Sequence, residues 1–129
     1  MDQWIAAARS ARELAYAPYS NFRVGAALIA ANGRIFPGCN VENLSYGLTQ
    51  CAERVALGRA IADGVREFST IVVVADTREP ISPCGACRQV LSEFAPELKV
   101  VLVTLTGAVE EWSLAELLPR ASKGILDRP

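Results

Sequence analysis

The sequence predicts an α/β fold in which a mixed sheet carries helices on both faces. Three observations predict it. Phe22, Val24, Ala26, Leu28 and Ala30 alternate with their neighbours and are followed by Asn32–Gly33, a strong short-range hairpin signal. Thr70–Ala75 and Lys99–Leu105 are short continuous apolar runs, the pattern of strands buried on both faces. Helix-compatible segments separate those runs, which implies parallel crossovers beside the antiparallel hairpin.

In chain order, residues 2–16 read as a first helix, with Asp2 as N-cap, an Ala-rich body and Pro18 as its stop. Residues 17–21 are a loop by their turn residues. The strand 22–30 returns as 34–39, where Pro37 marks an edge strand or a bulge. Residues 40–50 are polar and read as loop. Residues 51–62 form a helix, with Ala52, Val55, Ala56, Ala60 and Ile61 near one face and Asp63–Gly64 at its end. After the strand 70–75, two prolines mark 76–83 as a loop. A helix over 84–94 turns Val90, Leu91 and Phe94 inward, and Pro96 stops it. A short strand ending at Trp112 then leads to a helix over 114–118, capped by Ser113.

At 129 residues the chain is read as one domain spanning 1–129, large enough to bury a real core. The apolar runs are too short for a membrane span. Met1-Asp2-Gln3-Trp4 has no basic stretch of the kind that opens a signal peptide, so an intracellular, cytoplasmic protein is expected. With a net charge of −1 and no basic stripe, a polynucleotide partner is disfavoured and a small neutral substrate is compatible. Histidine is absent, which removes the commonest general base and nitrogen ligand and leaves any metal chemistry to Cys, Asp or Glu.

The cysteines are Cys39, Cys51, Cys84 and Cys87. Disulfide pairing belongs to small secreted chains and is disfavoured here. Cys84-x-x-Cys87 opens a helix and by itself fits a redox pair, half of a zinc site, or chance. Cys51 also stands where a helix begins, and a helix N-terminus favours thiolate, so three sulfurs converging on one ion is the preferred reading. Cys39 decides its type. As a fourth ligand it closes a structural site; as an ordinary small buried residue it leaves one position open for water. The open site is preferred because it gives Glu53 a task as proton carrier, although a glutamate in a first helical turn also serves simply as a dipole partner. Arg54 is either a solvated charge or a donor to the thiolates.

Cys51-Ala52-Glu53-Arg54 followed by Pro83-Cys84-Gly85-Ala86-Cys87-Arg88-Gln89-Val90 resembles the zinc-dependent deaminase pattern. Tyr16–Leu28, Gly38-Cys39-Asn40-Val41-Glu42-Asn43 and Ser45-Tyr46-Gly47-Leu48-Thr49 narrow the likeness to the small, three-cysteine cytidine deaminases, over residues 12 to 95. The resemblance implies a three-layer α/β/α fold with a five-stranded mixed sheet, one zinc ion per subunit, a nucleoside substrate, and a homotetramer with shared active sites. It implies Cys51, Cys84 and Cys87 as zinc ligands and Glu53 as proton shuttle. It further implies Asn40 and Glu42 as partners of the ribose hydroxyl, Phe22 as the aromatic on the pyrimidine, Ala52 with its backbone beside the base, and Tyr46 reaching a neighbouring subunit's pocket. Read as residues alone, Phe22 is equally a core strand position, and Asn40 and Glu42 ordinary loop polars.

The likeness departs in two places that bear on the pocket. Leu117-Leu118-Pro119 is followed by Arg120-Ala121-Ser122, with Ser122 where the family usually has a phenylalanine, and Leu44 replaces a usual alanine. Antibiotic deaminases of the blasticidin type share the stretch 83–91 but generally lack Asn-Val-Glu-Asn and Ser-Tyr-Gly-Leu. A non-enzymatic zinc module closed by Cys39 and a redox Cys-x-x-Cys protein are the alternatives of other classes.

Overall fold

A computed structural model describes residues 1–121 and 123–124; Ser122 lies outside the described residues. The elements are α1 (Asp2–Arg12), β1 (Val24–Ala30), β2 (Ile35–Cys39), α2 (Ala52–Ala62), β3 (Phe68–Ala75), α3 (Gly85–Ser92), β4 (Lys99–Thr104), β5 (Val109–Ser113) and α4 (Leu114–Leu117), with a 3-10 turn at Tyr46–Leu48. The five strands form one mixed sheet in the order β2-β1-β3-β4-β5. Only β3 and β4 are parallel neighbours. β2 and β3 both pair antiparallel to β1, so they run the same way on either side of it.

The side-chain alternation of the central strands builds two cores. Ala26, Leu28, Ile71, Val73, Val100 and Leu102 pack with Ala52, Ala56, Ala60, Leu91 and Leu114, which places α2, α3 and α4 on one face. Ala27, Ile29, Val72, Val74, Val101 and Val103 pack with Ala8, Trp4 and Ile5 of α1 on the other. This period of two, read through both faces, is why the runs 70–75 and 99–105 show no polar residue at all in their centres. The three-layer α/β/α arrangement agrees with expectation, as does Pro37 on an edge strand, where a missing N–H costs no ladder bond on the outer side.

Several boundaries differ, each for a stated reason. α1 ends at Arg12, not near 16, and Met1 rather than Asp2 is its N-cap. Beyond it the Tyr16 N–H donates to the Asn40 carbonyl at 3.0 Å and the Tyr16 carbonyl accepts from the Glu42 N–H at 2.9 Å, an extended pairing that a helix cannot make. β1 starts at Val24 rather than Phe22 because the Asn40 side chain takes the partners a strand would need: its Oδ1 accepts from the Val24 N–H at 2.9 Å and its Nδ2 donates to the Phe22 carbonyl at 2.8 Å. α3 ends at Ser92, and of the three residues expected inward only Leu91 is buried; Val90 and Phe94 are each 37% exposed. Cys87 and Leu91, four apart, define the inward stripe, which leaves Val90 on the flank and Phe94 past the helix end. The capped helix at the end is as expected: Ser113 accepts from the Glu116 N–H and Glu116 accepts from the Ser113 N–H.

Two glycines let helices touch the sheet. A Cβ on Gly25 would lie 2.0 Å from the Ala8 carbonyl oxygen, and one on Gly38 would lie 2.5 Å from both the Ala52 oxygen and the Ala56 nitrogen. Gly38 therefore sets how deeply the first turns of α2 sit, and those turns carry the site. Among the described residues no helix is long and apolar enough to cross a membrane.

Candidate active site

β2 and β3 run toward the same end of the sheet, and each hands over through a loop to a helix whose N-terminus returns to that end. Cys51 is the N-cap residue of α2 and Cys84 that of α3. The Cys84 Sγ accepts from the Cys87 N–H at 3.4 Å, in the way an oxygen caps a helix. The Sγ atoms of Cys51, Cys84 and Cys87 all lie within 4.8 Å of one another, with Cys51 and Cys84 3.9 Å apart. Tetrahedral zinc with Zn–S near 2.3 Å separates its sulfurs by about 3.8 Å. Three soft donors at that spacing fit zinc. Cys39, half-buried at the end of β2, stands outside the group.

The electrostatics of the cluster are those of a cation site. Cys51 is pulled down to about 5, first by its hydrogen bond with Cys87 and then, against the cost of burial, by Arg54 and Cys84. Cys87 is pushed up by the same contact with Cys51 and by burial. The Arg54 Nη2 donates to the Cys51 Sγ at 3.4 Å, and that thiolate keeps the guanidinium protonated. The Arg54 Nε is buried without a partner.

Glu53 follows in the first turn of α2 and is only 5% exposed. Burial pushes its carboxyl up to about 7, and the Cys51 thiolate adds to the push while Arg54 opposes it. A carboxyl that exchanges a proton near neutrality suits a general acid–base role.

A cavity of about 360 Å³ opens over this group, a size usual for a small-molecule pocket. Cys51, Ala52, Glu53 and Cys84 line it, together with Phe22, Asn40, Glu42 and Tyr46. Of the ten residues singled out from the sequence, only Arg54 and Cys87 lie behind the wall, Cys87 being fully buried. Asn40 and Glu42 are buried, whereas Tyr46 is 69% exposed at the mouth. Leu44, expected to touch the pocket, is 82% exposed and does not line it. Ser20, Val24, Thr49, Val73, Ile81 and Ser82 also line the cavity and were not singled out. Ile81 and Ser82 had a visible signal, since they directly precede Pro83–Cys84. Val24 and Val73 had none, because a buried valine under a pocket looks like any core valine.

A three-layer α/β/α fold whose helix N-termini cluster three cysteine sulfurs beside a cavity lined by a buried carboxyl group defines a zinc-dependent α/β enzyme. The model of the cytidine and deoxycytidylate deaminase zinc-binding region matches residues 1–104. The chain belongs to that family. The cytidine deaminase of Sporosarcina psychrophila is 53% identical over 122 residues, covering 94% of this chain and 90% of that protein. The crystal structure of cytidine deaminase from Burkholderia pseudomallei has a TM-score of 0.90 at 56% identity, covering 92% of this chain and 96% of the other. A blasticidin-S deaminase of Bacillus cereus is 35% identical over 107 residues, covering 74% of each chain.

Proposed function

We propose that the protein hydrolyses cytidine and 2′-deoxycytidine to uridine and 2′-deoxyuridine with release of ammonia. In this reading residues 1–129 form one catalytic domain, which works in pyrimidine salvage in the cytoplasm as a homotetramer with shared active sites and one zinc ion per subunit. The observation that carries it is Glu53, buried beside three clustered thiols at the inner end of a nucleoside-sized cavity. Exposed apolar side chains, Tyr46 at the cavity and Tyr19, Leu44 and Leu48 elsewhere on the surface, support a face that further subunits cover.

Cys51, Cys84 and Cys87 would hold the zinc ion, which would supply a Lewis acid that makes a water acidic near neutral pH. Glu53 takes a proton from the attacking water and gives it to N3 of the ring, as the water oxygen bonds to C4. Glu53, again a carboxylate, takes the proton of the new C4 hydroxyl and gives it to the amine; the C4–N bond breaks, C4=O forms, and ammonia leaves. Phe22 packs on the pyrimidine, Asn40 and Glu42 hold the ribose hydroxyl, and the Ala52 backbone borders the base. Tyr46 extends toward a neighbouring subunit. Arg54 offsets the negative charge of the thiolates and so preserves the acidity of the site.

Loss of cytidine absorbance on incubation with purified protein tests the reaction. Glu53→Gln keeps zinc and fold and loses about two to four orders of magnitude in turnover; activity within tenfold of the parent removes Glu53 from this role. The likeness to a blasticidin-S deaminase favours one second reading, a modified cytosine nucleoside as substrate. Faster turnover of blasticidin S than of cytidine at equal concentration decides for it.

A further inference from the structure

Phe22 is 39% exposed and lies outside β1, so neither packing nor the sheet ladder fixes it at the cavity. Its backbone is held by side chains instead. The Phe22 N–H donates to the Ser20 Oγ at 3.0 Å, and the Phe22 carbonyl accepts from the Asn40 Nδ2 at 2.8 Å. The same Ser20 hydroxyl donates to the Glu42 Oε2. The Glu42 Oε1 accepts from the Tyr19 N–H at 3.0 Å and the Ser20 N–H at 3.1 Å. Between Ser20 and Phe22, Asn21 has φ +57°, in the left-handed region that side-chain-bearing residues seldom enter, and its N–H donates to the Ala17 carbonyl at 3.0 Å. The chain therefore makes its sharp turn immediately before Phe22, and one hydroxyl closes the turn onto a carboxylate from a distant segment.

A carboxylate offers about four acceptor sites. Three are filled here, and the hydroxyl occupies one on Oε2, so it also fixes which direction Glu42 leaves open to the cavity. We propose that Ser20 is a substrate-positioning residue: its hydroxyl locks the Phe22 ring and the free acceptor of Glu42 into one hydrogen-bonded unit, so that base and sugar are gripped at a fixed separation. The proposal rests on the reading of Phe22 and Glu42 as base and sugar contacts. A hydroxyl that only stabilised the turn would change stability and leave substrate affinity alone.

Wild type, Ser20→Ala and Ser20→Thr are compared by steady-state kinetics on cytidine, zinc content, and amide hydrogen exchange at Phe22 without substrate. Ser20→Ala raises KM roughly ten- to a hundredfold, the scale of a lost hydrogen bond to a charged group. It holds kcat within about twofold and zinc at the parent level, and speeds exchange at the Phe22 amide about tenfold or more. Ser20→Thr, which restores the hydroxyl at an exposed position, returns both readings to wild type. An unchanged KM in Ser20→Ala, a loss confined to kcat, or no recovery in Ser20→Thr overturns the proposal. If wild type does not turn over cytidine, the functional reading fails by itself. Exchange then judges the clasp: equal protection in wild type and Ser20→Ala refutes it, and a loss repaired by Ser20→Thr upholds it.

Discussion

Glu42 and Glu53 are both buried carboxyl groups of one cavity, and their surroundings push them in opposite directions. Glu53 meets low dielectric and a neighbouring thiolate, which favour its neutral form. Glu42 is held below the ordinary carboxylate range, chiefly by the Ser20 hydroxyl, with the Ser20 and Tyr19 N–H groups adding. In the proposed reaction this separates them into a proton carrier and a permanent acceptor. The sign for stability follows from linkage. A carboxyl whose folded-state value is lowered contributes stability above its unfolded value, near 4.5, and loses it as pH falls through the lower folded value. Thermal melts of wild type and Glu42→Gln should therefore differ at pH 6 and converge toward pH 3. A gap independent of pH would show that the clasp does not need the charge.

At the scale of elements, the sequence was readable wherever burial imposes a period. β3 and β4 lie in the middle of the sheet with both faces covered, and their continuous apolar runs announce it; β1, equally covered, reads as a strand from its alternation, which does not show the burial of its second face. The cap at Ser113 was readable because helix capping is a local interaction, and the structure adds Glu116 to it as a capping box. The two helix N-termini were readable because Cys51 and Cys84 each end a loop and open an apolar helix. What stayed hidden depends on contacts between distant segments. Tyr16 leaves the helix to pair with residues 40–42, and Asn40 ends β1 early by satisfying Phe22 and Val24 from the side. Gly38 was equally silent: nothing local shows that α2 will press against it. Its missing Cβ permits the contact that seats Cys51 and Glu53. Because the clashing atoms are backbone, Gly38→Ala forces the first turns of α2 outward. A loss of about 1–3 kcal/mol or more is expected, together with weaker zinc retention, measured by denaturant unfolding and metal analysis. Gly47→Ala, with nothing within 4 Å of the new methyl, is the control; equal behaviour of the two variants would deny Gly38 this role.

Across the whole molecule the two cores are coupled unequally to the site. The α1 face contributes none of the three sulfurs, whereas α2 and α3 on the other face contribute them all. A zinc ion on the three sulfurs would join those two helices across their N-termini, where Arg54 already holds the Cys51 sulfur and the Cys87 N–H holds that of Cys84. A ligand that binds only the folded state at about a hundred times its dissociation constant stabilises by about 2.7 kcal/mol. In a domain of this size that corresponds to a melting shift on the order of 10 °C. Chelation under reducing conditions should lower the melting temperature by that order and leave the far-UV circular dichroism at room temperature unchanged, because neither core is built from the three cysteines. Hydrogen exchange should then quicken in the first turns of α2 and α3 and stay constant in α1 and β4. Uniform loosening of all four would mean that the metal supports the whole fold rather than the site, and no change in any would place the ion elsewhere.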